Sequence, residues 1–96
     1  MKKQSNEDGW WRFIKLCEKS AEKKLLPELF ELFLTITERE EIGKRYLIVQ
    51  ELVNEKLPQR EIAKKTNVSI AKITRGSNQL KTTSEKLRNF LKEIVK

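Results

Sequence analysis

Apolar side chains recur along this chain with the period of an α-helix. Trp10, Ile14, Cys17 and Ala21 fall at i, i+4, i+7 and i+11, and Trp11 and Phe13 widen their stripe. Pro27 suits a first helical turn and opens the segment PELFELFL. There Leu29, Phe30, Leu32, Phe33 and Leu34 are apolar on nearly every side, so this helix needs cover all round. The next stretch, TITEREE, offers two overlapping capping boxes, Thr35 with Glu38 and Thr37 with Glu40. Either starts a long helix running to about Glu55, with Ile42, Tyr46, Val49, Leu52 and Val53 apolar and Leu47 and Ile48 on a second face. That stripe is broader than one small monomer needs. It points to an obligate homodimer in which two chains share a core, the alternative being a compact monomer.

Pro58 ends the long helix. In the following PQREIAKKTNVSIAKITRGSNQLK, residues 59–65 read as a short helix and Thr66 and Asn67 as a turn, because Asn tolerates the left-handed conformation. Ser69 can cap a second helix beginning at Ile70. Ile62, Ala63, Val68 and Ile73 are the expected contacts between the two, which is the pattern of a helix-turn-helix. TTSEKLRNFLKEIVK closes the chain as a final helix with a Leu87, Leu91, Ile94 stripe, capped by Thr82 or by Ser84. No strand alternation, internal repeat or low-complexity tract interrupts the pattern. The expected fold class is all-α, in a single domain over residues 1–96.

Charge changes the picture. The net charge is +7, yet residues 1–58 hold eleven basic and eleven acidic side chains and sum to zero. Residues 59–96 hold ten basic and three acidic side chains and carry all of the excess. Such asymmetry suits a polyanion-binding end on a neutral scaffold, or a solvated basic surface. Chemistry of other kinds finds little support. There is no histidine and one aspartate, Asp8, so neither a zinc site nor a histidine-based nucleophile can be built, and an enzyme is not expected. Cys17, the single cysteine, occupies an apolar helical position and fits a small buried hydrophobe in a reducing cytoplasm. No apolar run approaches the roughly 20 residues of a membrane span. The opening MKKQSNEDGWW lacks the apolar core of a secretory signal.

On the second helix of the pair, Ala71, Thr74, Asn78 and Lys81 share one small, polar face ending in a cation. Such a face can enter a major groove, where Asn pairs with adenine and Thr or Ala touches a thymine methyl. Gln59, Arg60 and Lys64 of the first helix would meet phosphates or base edges. The candidate DNA-binding set is completed by Ser69, Ile70 and Lys72 at the start of the second helix. An ordinary helical hairpin with a polar outer face is the bland alternative.

LTITEREEIGKRYLIVQEL, QREIAKKT and above all AKITRGSNQLK resemble the bacterial Trp repressor family, without gaps from about Trp10 to Val95. The ITRGSN segment, with LTITERE upstream at the right distance, is specific. The resemblance implies six helices per chain in an intertwined dimer, with residues 1–57 and 84–96 as the shared core and 58–83 as the DNA-reading head. It implies repression of tryptophan-metabolism genes through a palindromic operator, with free L-tryptophan as corepressor and no other cofactor. By position, Arg45 and Arg75 would sandwich the indole ring, Arg75 would also hold the carboxylate, and Leu32, Leu34 and Thr35 would supply backbone contacts. Gly76 would lie against the indole where a Cβ would collide; the alternative is a helix softened for packing or motion. Gln79 stands near the ligand where better-known members have serine, and Ala63 where they have a DNA-contacting lysine, a role Lys64 or Lys65 could take over. The N-terminal arm is short by comparison.

Overall fold

A computed structural model describes residue 3 and residues 5–96. Met1, Lys2 and Gln4 of the N-terminal arm lie outside the described residues. Six helices follow one another: α1 (Asn6–Glu22), α2 (Leu26–Phe33), α3 (Ile36–Asn54), α4 (Gln59–Thr66), α5 (Ile70–Thr82) and α6 (Glu85–Ile94). Among the described residues there is no strand. The chain parts into two compact units, residues 1–37 and residues 38–96.

In the first unit, α1 starts on a capping box. The Ser5 hydroxyl accepts from the Asp8 amide at 3.1 Å, and the Asp8 carboxylate accepts from the Ser5 amide at 3.4 Å. Pro27 sits in the first turn of α2, where its missing N–H costs no helical hydrogen bond. The two helices meet through rings: Phe13 of α1 lies 6.4 Å from Phe30 and 5.0 Å from Phe33, both on α2. Little apolar surface is covered by this pairing. Trp10, Trp11, Leu32 and Phe33 stay exposed, Leu32 at 79 %.

The second unit holds the core. Ile48 of α3, Ile62 and Ala63 of α4 and Ile73 of α5 form one buried cluster, with Leu52, Leu57 and Val68 packed against it. Ile62 is 1 % exposed and Ile73 wholly buried. α3 begins at Ile36, directly after Thr35, so Thr37 falls inside the helix and the earlier of the two possible starts is the one used. Its end at Asn54 is followed by Glu55 at φ 54°, a left-handed stop. Of its apolar positions only Ile48 and Val53 are buried, while Ile42, Tyr46 and Leu47 remain half exposed.

The α4–α5 pair follows the expected contacts, with one shift. Thr66 still belongs to α4, where its hydroxyl donates to the Ile62 carbonyl at 2.7 Å. Asn67 alone turns the chain, at φ 56° and ψ 43°. The Asn67 and Val68 amides close over the last carbonyls of α4, and Ser69 caps α5 by accepting from the Lys72 amide. At α6 the cap is Ser84, which accepts from the Leu87 amide at 3.2 Å; Thr82 is the last residue of α5.

Candidate nucleic-acid and ligand interface

The buried pair Ile62 and Ile73 holds α4 against α5 and turns the polar side of α5 outward. Between Ile70 and Thr82 there is no acidic side chain, whereas Lys72, Arg75 and Lys81 are cations. On the outer side Ala71, Thr74, Arg75, Asn78, Gln79 and Thr82 line an open hollow of about 560 Å³. Three of the four expected groove-reading residues are therefore together, and the two expected ligand residues Arg75 and Gln79 share their hollow. Lys81, the fourth, lines a different cavity of about 570 Å³ with Gln59, Ser77, Leu80 and Arg88.

Around this face the remaining candidates are disposed as follows. Arg60 and Lys72 are exposed, as is Ile70. The Ser69 oxygen is taken by the cap, which leaves its hydroxyl proton to donate outward. Gln59 is half-buried, and its Oε1 accepts from the Thr74 hydroxyl at 3.0 Å, bridging α4 to the face of α5. The two lysines behind Ala63 differ. Lys65 Nζ lies 2.7 Å from the Glu51 carboxylate of α3, whose side chain is 13 % exposed. Lys64 is 3.9 Å from Glu61, a loose pair between exposed groups. Ala63 itself is buried in the cluster and faces no solvent.

The candidate ligand residues divide between the units. Leu32, Leu34 and Thr35 belong to the first, around the junction of α2 and α3; Leu34 is half-buried and the other two are exposed. Arg45 stands exposed on α3 in the second unit, with Arg75, Gly76 and Gln79 on α5. For Gly76 the structure supplies a reason different from a ligand. A Cβ built there would meet Ile48 Cγ2 at 3.3 Å and Leu52 Cδ1 at 3.4 Å. The missing side chain thus lets α5 lie close on α3, which is the packing alternative.

Three contacts had no signal in the sequence: Gln59 with Thr74, Lys65 with Glu51, and Arg88 Nη1 donating to the Lys81 carbonyl at 2.8 Å. Each joins different helices at a separation that no periodic pattern encodes. Among the described residues no group of three or more His, Cys, Asp and Glu side chains could hold a metal ion. No helix among them is long and apolar enough to cross a membrane.

The family model of the Trp repressor protein matches residues 8–95. The chain belongs to the Trp repressor family. Its relatives include a Trp operon repressor homolog of Chlamydia caviae, 51 % identical over 98 % of this chain and 93 % of the relative. Another, from Chlamydia trachomatis serovar D, is 46 % identical over 97 % of this chain and 99 % of the relative. A third, from Haemophilus influenzae, is 36 % identical over 92 % and 87 %. The Trp repressor match spans both units, and the all-helical architecture agrees with it. The family is one of transcription regulators, not of enzymes.

Proposed function

We propose that this chain is a tryptophan-dependent repressor, a cytoplasmic homodimer that binds a palindromic operator in double-stranded DNA when L-tryptophan is bound. In this reading residues 1–57 and 84–96 form the shared core, and 58–83 form the helix-turn-helix head. The observation that carries it is the acid-free outer face of α5, held outward by the buried Ile62 and Ile73 in a chain of this family. Support for a shared core comes from the apolar side chains left exposed on α1, α2, α3 and α6, including Trp11, Leu32, Tyr46 and Phe90.

At the DNA, Ala71, Thr74 and Asn78 would read the groove while Arg60, Lys64, Lys72 and Lys81 neutralise phosphates. Lys64 rather than Lys65 makes up for Ala63, because Lys65 is engaged by Glu51 at 2.7 Å. For the corepressor, Arg45 and Arg75 would stack on the indole, with Arg75 also pairing the carboxylate. Leu32, Leu34 and Thr35 would offer backbone groups, and Gly76 and Gln79 would border the ring. The fit rests on Arg75 and Gln79 lining one hollow beside the reading face.

Two heads reading half-sites must stand about 34 Å apart, a spacing general to helix-turn-helix dimers. Tryptophan controls that spacing only if it binds the DNA-competent arrangement more tightly than the other. Operator must then tighten tryptophan by the same factor. Mobility-shift titration of a palindromic duplex with and without L-tryptophan tests the gating, and calorimetry with and without operator tests the coupling. Equal operator affinities in both lanes would remove tryptophan dependence. A second reading keeps the fold and changes the effector to another indole, favoured by the long Gln79 side chain in the Arg75 hollow. Parallel titrations of indole-3-propionate and tryptamine separate the two.

A further inference from the structure

The bond between Gln59 and Thr74 has a polarity, and the polarity has consequences. A threonine hydroxyl owns one proton, and here it is donated to Gln59 Oε1 at 3.0 Å. The glutamine amide is thereby oriented. Its oxygen faces α5, and both N–H groups of Nε2 lack a partner within the described residues.

We infer that Thr74 is a positioning residue for Gln59, turning the Gln59 amide so that its Nε2 donors are the groups it presents to DNA. The inference rests on the repressor reading and sharpens it. An amide reads adenine in two-pronged fashion only when its oxygen accepts from N6 while its nitrogen donates to N7. With one lone pair of that oxygen taken by Thr74 and the oxygen turned toward α5, the groups Gln59 leads with are its Nε2 donors. They suit acceptor atoms of the nucleic acid: a phosphate oxygen, or O6 and N7 of guanine. Thr74, for its part, has given up its proton and keeps only lone pairs. It cannot grip a phosphate oxygen directly while the bond to Gln59 stands. Asn78, exposed in the same hollow, keeps both ends of its amide for reading adenine.

The test combines a double-mutant cycle on DNA with a measurement on the free protein. The full chain is titrated with a palindromic duplex in saturating L-tryptophan as wild type, Thr74→Val, Thr74→Ser, Gln59→Ala and the Gln59→Ala/Thr74→Val pair. Thr74→Val is expected to lose about five- to tenfold in affinity, the size of one hydrogen bond, and Thr74→Ser to keep it. In the Gln59→Ala background, Thr74→Val should cost nothing further. In the free protein, the Gln59 side-chain amide resonances, assigned by their loss in Gln59→Ala, should move in Thr74→Val and stay in Thr74→Ser. Additive losses on DNA, or amide resonances indifferent to Thr74→Val, overturn the proposal. If the wild type fails to bind any such duplex, the repressor reading itself fails and takes the DNA role of Gln59 with it. That outcome is distinct, because the amide resonances still report whether Thr74 holds Gln59.

Discussion

Among the described residues of the first unit no apolar side chain is buried, and Trp11 stands 61 % exposed. In the second unit, Ile62 and Ile73 are enclosed by neighbours from the same chain. Both units are helical and both carry amphipathic stripes, so neither helicity nor patterning separates them. What separates them is closure. α4 returns on α5 through a three-residue connection with Asn67 left-handed, and α3 supplies Ile48 to seal the pair. Burying an isoleucine contributes about 1.5–3 kcal/mol, so a cluster of three outweighs the ordering of so short a turn. The α1–α2 pair has rings in contact, yet among the described residues none of its apolar side chains is buried. The lesson is that the α3–α5 cluster can be finished within one chain, whereas the aromatic α1–α2 pair leaves its apolar surface exposed.

That contrast can be broken in three places. The largest effect is expected at Leu32, the most exposed large apolar residue. If a second chain covers it, Leu32→Asp should weaken self-association more than about a hundredfold, because an unpaired carboxylate would be buried. Sedimentation velocity reads this directly, and an undiminished dimer would mean that the exposed apolar surface has some other use. Next in size is the core shared by α3, α4 and α5. Ile73→Ala should cost about 2–5 kcal/mol in urea unfolding, whereas Ile70→Ala, on the same helix but half exposed, should stay within about 0.5 kcal/mol. Equal costs would deny that the α3–α5 cluster is a core in its own right. The smallest effect concerns Gly76. Alanine there gains about 1 kcal/mol of helix propensity, but its Cβ presses on Ile48 Cγ2 at 3.3 Å. A net loss of up to about 1 kcal/mol is expected, recovered by adding Ile48→Leu, which removes the methyl branch from Cβ. Unchanged stability with weakened tryptophan binding in calorimetry would return Gly76 to a ligand role.

Much of the fold was legible because its boundaries are written in local chemistry. Ser69 caps, Asn67 turns left-handed and Pro27 stands at a helix start, as their residue types foretell, while Ser84 prevails over Thr82 as the cap of α6 and Pro58, expected to end the long helix, instead opens α4 after Glu55 has stopped α3. The Thr35 and Thr37 boxes could not be ranked from sequence, since both satisfy the same rule and only the packed chain selects one. The opposed fates of Ile48 and Ile42 were equally hidden. Both belong to broad apolar stripes on α3, and which face the chain itself covers depends on where α4 and α5 return. At the candidate site, the clustering of Ala71, Thr74 and Asn78 followed from helical period alone. The exclusion of Lys81 from that hollow, and the commitment of Lys65 to Glu51, did not. They depend on long flexible cations finding partners across helices, which no spacing rule supplies.

The guanidinium of Arg88 bears on how such a molecule would be put together. It belongs to α6, whose Leu87, Phe90 and Ile94 are left exposed, and it closes on a carbonyl in the last turn of α5. Whatever grips α6 therefore also steadies the far end of α5. Assembly and recognition would then share a mechanical joint one side chain wide, and tightening the first would stiffen the second.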